Sequence, residues 1–233
     1  GGAGATGNDG YAISGSVSVN KITRTNKANM ESATLTLTGA LTQTATTSVS
    51  LIAIGGAFSI AGKSGIGAAI AYNDVTTTTE SKMLSTTLNV GGDISIMANN
   101  YSRIIAITIS LGAGAKGNAA AGTVSINIID NTIEAAMDST TDTVNTGAVS
   151  VVAENDASIF SIAGALGISL KGSGLGAAFA WNEIDSDVLA KIENSTLPAS
   201  SVTVRAEVKD AEIWTLSIGA AGGKKTSIAG SVS

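Results

Sequence analysis

The chain has 233 residues, enough to bury a sizeable core, but charged residues make up 13% and aromatics 3%, against about 25% charged in an ordinary soluble domain. No Cys and no His are present, which excludes disulfide staples, thiolate metal sites and the commonest general base. A net charge of −5 with no basic stripe leaves no footprint for nucleic acid, and no apolar run reaches the ~18 residues of a membrane helix.

Residues 1–10, GGAGATGNDG, have neither the charged start nor the apolar run of a secretion signal. The first strand pattern is GSVSVN, ending at Asn20. It recurs as AAIAYN ending at Asn73, GTVSIN at Asn127 and AAFAWN at Asn182, in steps of 53, 54 and 55 residues. Other columns keep the phase. Ile22, Val75, Ile129 and Ile184 follow each Asn by two residues, and Met30, Met83, Met137 and Ile192 by ten. An Ala column follows (Ala45, Ala98, Ala153, Ala206). Lys63, Lys116, Lys171 and Lys224 then sit in Gly/Ser-rich turns such as LKGSG. The chain closes on GSVS at 230–233, the same strand again. So many columns in register define a repeat of about 54 residues, present in about 4.3 copies. Residues 1–233 form one continuous array, expected to be an excerpt cut at both ends, with any targeting signal elsewhere.

Within one repeat, Thr123, Ser125 and Asn127 alternate with Val124, Ile126 and Ile128, which predicts a half-buried strand. Further strands are predicted at 131–137, 148–153, 157–170 and 175–181, with a loop at TDTVNTG, 141–147. In 157–170, Phe160, Ile162, Leu166, Ile168 and Leu170 share one face, and Ser161, Ala163, Ala165 and Ser169 the other. The fold class is all-β, with four or five strands per repeat. A parallel β-solenoid explains why like residues recur in columns. An antiparallel hairpin array is the alternative. With one coil per repeat the Asn column would form an amide ladder, but the Lys column would stack like charges at ~4.8 Å. Two coils per repeat would place the Lys about 10 Å apart, so two coils are expected.

VGGDISIMA at 90–98 resembles the GGD-containing strand of filamentous haemagglutinin-type repeats, and TGAVSVVAEN (146–155) and SSVTVRAEV (200–208) are looser versions. The GSVSVN and IAGALG segments resemble repeats of very large bacterial adhesins known as leukotoxin-like filamentous proteins. The repeat here is longer than a haemagglutinin coil, and GGD occurs once. The resemblance implies a β-helical stalk exported across both membranes of a Gram-negative-type cell, by a two-partner or autotransporter route. Its location would be extracellular or cell-surface, and lateral or end-to-end self-association and surface glycans are its expected partners.

Chemistry is sparse. Asp185 and Asp187 share a strand face, the arrangement of a carboxylate pair, but the pair does not recur in the other repeats. Asp138, Asp142 and Asn145 in one loop, and Asn8 with Asp9 in another, are oxygen-rich without a calcium-loop pattern. Solvated loop acids are the expected account of both, with no cofactor and no metal site. The Asn column is expected to satisfy edge or turn backbone groups at strand ends, and the Lys column to be a solvated turn that discourages aggregation. Trp181 and Tyr72 share a phase with Val19 and Ile126, which predicts burial. Trp214 is a further sugar-stacking candidate. Segments 52–62 and 161–169 are apolar or small on both faces, a pattern that predicts cover on both sides. The expected role is a structural stalk rather than an enzyme. A glycan- or matrix-binding module and a toxin repeat region are the alternatives.

Overall fold

The computed structural model describes residues 1–7, 9–144 and 146–233. The described chain is all-β: β1 (Gly2–Ala5), β2 (Tyr11–Glu31), β3 (Thr34–Leu37), β4 (Leu41–Ala61), β5 (Ser64–Leu84), β6 (Thr87–Val90), β7 (Ile94–Gly114), β8 (Ala119–Asp138), β9 (Thr141–Asp142), β10 (Thr146–Ser169), β11 (Gly174–Glu193), β12 (Ala199–Gly223) and β13 (Ser227–Val232). Every strand pairing is parallel, giving sheets in the orders β1-β4-β7-β10-β12, β13-β11-β8-β5-β2 and β3-β6-β9. This is a parallel β-solenoid. The antiparallel alternative does not form.

The register corrects the coil count. Asn20 pairs with Asn73, Asn73 with Asn127, and Asn127 with Asn182. Each repeat is therefore one coil, not two. The strand count also falls, to two long strands and one short one per coil. Predicted strands 148–153 and 157–170 are one continuous strand, β10, and 123–128 and 131–137 are both part of β8. The like-charge conflict that argued for two coils is met differently. The Lys side chains lie in turns, Lys116, Lys171 and Lys224 exposed and Lys63 half-buried, where solvent screens them and they can splay.

One coil runs along a long strand such as β5, crosses a short base strand such as β6, and returns along β7. A strand of 21 residues spans about 70 Å at ~3.3 Å per residue, while four coils rise only about 20 Å. The fold is a flat tape with a narrow triangular section. The base edge is the thick one. There Met83, Met137, Leu88, Val90, Ile94, Ile96, Ile133, Val149 and Val151 form the main apolar core, each 0–1% exposed. The opposite edge is thin because its inward positions are Gly, Ala, Ser and Thr. A Cβ on Gly112 would lie 1.9 Å from the Ala120 carbonyl oxygen, and one on Gly65 2.2 Å from that of Ala113. Only glycine lets the two sheets approach this closely.

Corners are stacked as regularly as strands. Ser32, Ser85, Ser139 and Asn194, each two residues past the Met column, hold left-handed backbone with φ of 48–52°. Ser32 N donates to Leu84 O, and Ser85 N to Asp138 O, so the ladder continues around the turn. At the next corner Asp93 of the GGD segment accepts from Ala148 N of the following coil at 2.8 Å. A bulge between Asn155 and Asp156 takes up an extra residue of β12.

Candidate functional site

The Asn column lies in mid-strand, not at strand ends, and its amides bond to one another rather than to backbone. Asn20 Nδ2 donates to Asn73 Oδ1 at 2.8 Å, Asn73 to Asn127 at 2.7 Å, and Asn127 to Asn182 at 2.7 Å. Asn182 Nδ2 ends the ladder on Thr215 Oγ1 at 2.7 Å. Asn73 and Asn127 are fully buried. The ladder runs the length of the tape between the apolar middle cluster of Val75, Ile104, Ile129 and Ile159 and the small-residue edge.

A second buried network was not anticipated. Asn100 Nδ2 donates to Asn155 Oδ1 at 2.9 Å, and Asn131 Nδ2 reaches the same oxygen at 3.1 Å. The Thr77 hydroxyl donates to Asn131 Oδ1 at 2.7 Å, and Asn155 Nδ2 to Ser186 Oγ at 2.9 Å. The Asn131–Asn155 and Asn155–Ser186 bonds cross between the two sheets, the other two run along the stack within one sheet, and all lie between the main core and the middle cluster. The available signal was partial. Thr47, Asn100 and Asn155 each follow the Ala column by two residues, but the fourth copy has Val208.

The Lys column lines the thin edge, in the turns that join β4 to β5, β7 to β8, β10 to β11 and β12 to β13. The turns stack: Gly117 N donates to Lys63 O at 2.8 Å, and Lys225 N to Gly172 O at 3.1 Å. The Lys63 amine lies 4.9 Å from the centre of the Tyr11 ring, and its interaction with the Tyr11 hydroxyl holds the amine above its usual pKa.

Inward Asn fixes the facing of its neighbours, and this corrects the aromatic positions. The residue before each Asn points out, so Trp181 is 54% exposed and Tyr72 lies half-buried on the same outer row. Trp214 is 51% exposed on the other sheet and stacks on Phe160 at 4.4 Å between centroids.

Charges gather on the outer faces of the thick half. Lys27, Glu80, Lys82, Glu134, Lys191 and Glu193 form an alternating ladder across four coils, with Lys27–Glu80 at 2.9 Å and Lys82–Glu134 at 2.5 Å. Burial pushes the Glu80 carboxyl up, but its bond to Lys27 and the charges of Lys82 and Lys27 hold it below its usual value. The hydrogen bond to Glu193 holds the Lys191 amine above its usual value. On the other sheet Arg205 bridges Glu154 and Glu207.

The carboxylate candidates do not assemble. Asp185 and Asp187 are exposed on β11, Asp185 one coil above Asp130. Asp142 is 3% exposed and replaces a Leu in the base column of Leu35 and Leu88. Its Oδ1 accepts from Val90 N and Val144 N, while Oδ2 has no partner among the described residues. Asp138 lies at the corner, bonded to Ser139 and Asn194. Asn145 and Asn8, the other loop candidates, fall outside the described residues. Among the described residues no cluster of three acids forms a metal site.

The chain matches no protein-family model, no curated protein and no solved structure.

Proposed function

We propose that this chain is a structural stalk segment of a large bacterial surface or secreted filament of the adhesin type, acting outside the cell to hold it against other cells or surfaces. The supporting observation is the in-register stacking of one repeat per coil. The main contacts run within a coil and between adjacent coils, so coils add without a set length and stability grows by nearest-neighbour terms. The Asn ladder penalises any slip in register, because a slipped Asn is a buried unpaired amide. The resemblance to haemagglutinin-type and leukotoxin-like repeats points to the same role. Trp181 and Trp214 favour a glycan platform by their exposure, but they lie on opposite sheets, so they cannot stack on one sugar chain.

Two measurements test this reading. Head-to-tail fusions of the 233-residue array, imaged by electron microscopy, are expected to give tapes of constant width whose length grows by about 20 Å per copy. Round particles whose diameter grows with copy number would overturn it. Silence on a glycan array is expected of a stalk, and tight binding of one glycan class by the isolated array would replace it with a binding module.

A further inference from the structure

The thin half of the tape is inverted relative to a water-soluble protein. Its outer faces carry the large apolar residues: Ile52, Ile54, Phe58 and Ile60 on one sheet, and Val17, Val19, Ile66, Ile70 and Phe179 on the other, among many exposed ones. Its interior holds the hydroxyls. Ser110 and Thr123 are 2.8 Å apart, Thr123 donates to Gly164 O at 2.7 Å, and Ser59 donates to Ala12 O at 2.6 Å. No charged residue occurs in 53–62, 64–73, 104–115, 117–127, 159–170 or 172–182. The bare apolar area is about 26 Å by 20 Å on each face. That is roughly 500 Å² twice over, against 300–600 Å² for the largest patch on a typical monomer.

Three independent features say what covers it. First, depth: outward rows run from Ile52 to Ile60 on β4 and from Tyr11 to Val19 on β2, eight residue steps each. That is about 26 Å, close to the ~30 Å hydrocarbon core of a bilayer. Second, aromatics mark the boundaries. Tyr72 and Trp181 share one outer row, and Phe160 and Trp214 another. The next outward rows carry Lys21, Asp74 and Glu183 on one sheet and Arg103 and Glu212 on the other. At the far boundary Tyr11 sits beneath Lys63. Aromatic girdles at both water interfaces are the habit of membrane-spanning strands. Third, polarity: small and hydroxyl residues inside with apolar residues outside is the pattern of such strands. Among the described residues no helix is long and apolar enough to cross a membrane, so a crossing by them would be made by strands.

We infer that the thin half is a blade that inserts into a lipid bilayer, with its Lys row reaching the far headgroups and the charged thick half remaining in water. This goes beyond the stalk reading and stands or falls separately from it. Pairing on both sides satisfies the backbone of β5, β7, β8 and β10, while β4 has an outer partner strand only at Phe58–Ala61 and β11 only at Gly174–Phe179. The outer edges of the terminal strands need pairing in hydrocarbon, so insertion brings end-to-end contact between copies. A second copy stacked face to face is the competing occupant, but one such contact covers one face and leaves the other bare.

The test uses the 233-residue protein with vesicles of phosphatidylcholine and phosphatidylglycerol. Expected results are co-flotation, a blue shift of Trp181 and Trp214 emission, and quenching of both by shallow brominated acyl positions. A dye at Phe58→Cys should be quenched best by deep positions. The variant Ile54→Glu/Ile70→Glu changes only outward residues, on separate sheets, so its circular dichroism and melting should match the parent while flotation falls at least tenfold. Failure of the parent to float would overturn the inference. So would uniform quenching at all depths, or lateral pairs in lipid-free solution that no longer bind vesicles. If the double variant loses its fold, Ile162→Glu in β10 replaces it, and unchanged flotation of that folded variant would also overturn the inference.

Discussion

The thick and thin halves of the tape share the long strands yet obey opposite packing rules. In the thick half, Met83, Met137, Leu88 and Ile133 fill a conventional apolar core, and Lys27, Glu80, Lys82 and Glu134 face water. In the thin half, Gly, Ala, Ser and Thr let the sheets meet backbone to backbone, and Ile, Phe and Val face out. The difference shows that a strand's hydrophobic alternation does not by itself say which face is inside. Between the two regions lie the Asn networks, whose amides tolerate only one register.

Substitutions can break each half by its own rule. The largest effect is expected at the thin edge. Gly112→Val drives a side chain into the Ala120 carbonyl and should cost at least about 3 kcal/mol, or prevent folding. Gly122→Val, with open space around its Cβ, should change urea stability by less than about 0.5 kcal/mol. Equal effects at both sites would mean that the sheets do not touch there.

In the thick half the expected loss comes from a cavity. Met83→Ala should cost about 2–5 kcal/mol by chemical denaturation. Next comes the seam. Asn127→Ala removes two ladder bonds, leaves the buried Asn73 donor and the part-buried Asn182 acceptor without those partners, and should cost about 2–3 kcal/mol. Asn20→Ala at the ladder's end should cost under about 1 kcal/mol, because Asn20 is only part-buried and makes one rung.

The smallest effects sharpen the corners and the charged face. Ser85→Gly relieves a left-handed backbone with φ of 51° and should raise thermal stability by up to about 1 kcal/mol. Glu80 has a lowered folded pKa. Its contribution is therefore present above the unfolded value of about 4.3 and is lost as pH falls through the folded value. Exposed pairs of this kind carry about 0.2–1 kcal/mol. Glu80→Gln should therefore lower stability at neutral pH by about that amount and flatten the acid limb of the curve, as read by urea denaturation against pH.

The repeat, its phase, the parallel all-β class and the columns of Asn, Met, Ala and Lys were legible in the sequence, because stacking demands like residues at like positions. The coil count was not. It hung on the Lys column, because sequence does not show how far stacked Lys in solvated turns splay apart and are screened. The facing of Trp181 and Tyr72 was also illegible, since small residues inside and large ones outside alternate in the same way as the reverse. The left-handed corner was hidden because Ser32, Ser85 and Ser139 hold positions where glycine is the usual marker. The Asn100–Asn155 network was hidden because its column is complete in only two copies.

Distance along the stack tests the one-coil repeat most directly. Thr23, Thr76, Asp130 and Asp185 occupy one outer row in four successive coils, with Thr23 and Asp185 exposed. Spin labels at Thr23→Cys and Asp185→Cys, measured by pulsed electron resonance, should lie three coils apart, at about 14 Å. A distance near 29 Å, the spacing of six coils, would contradict one coil per repeat.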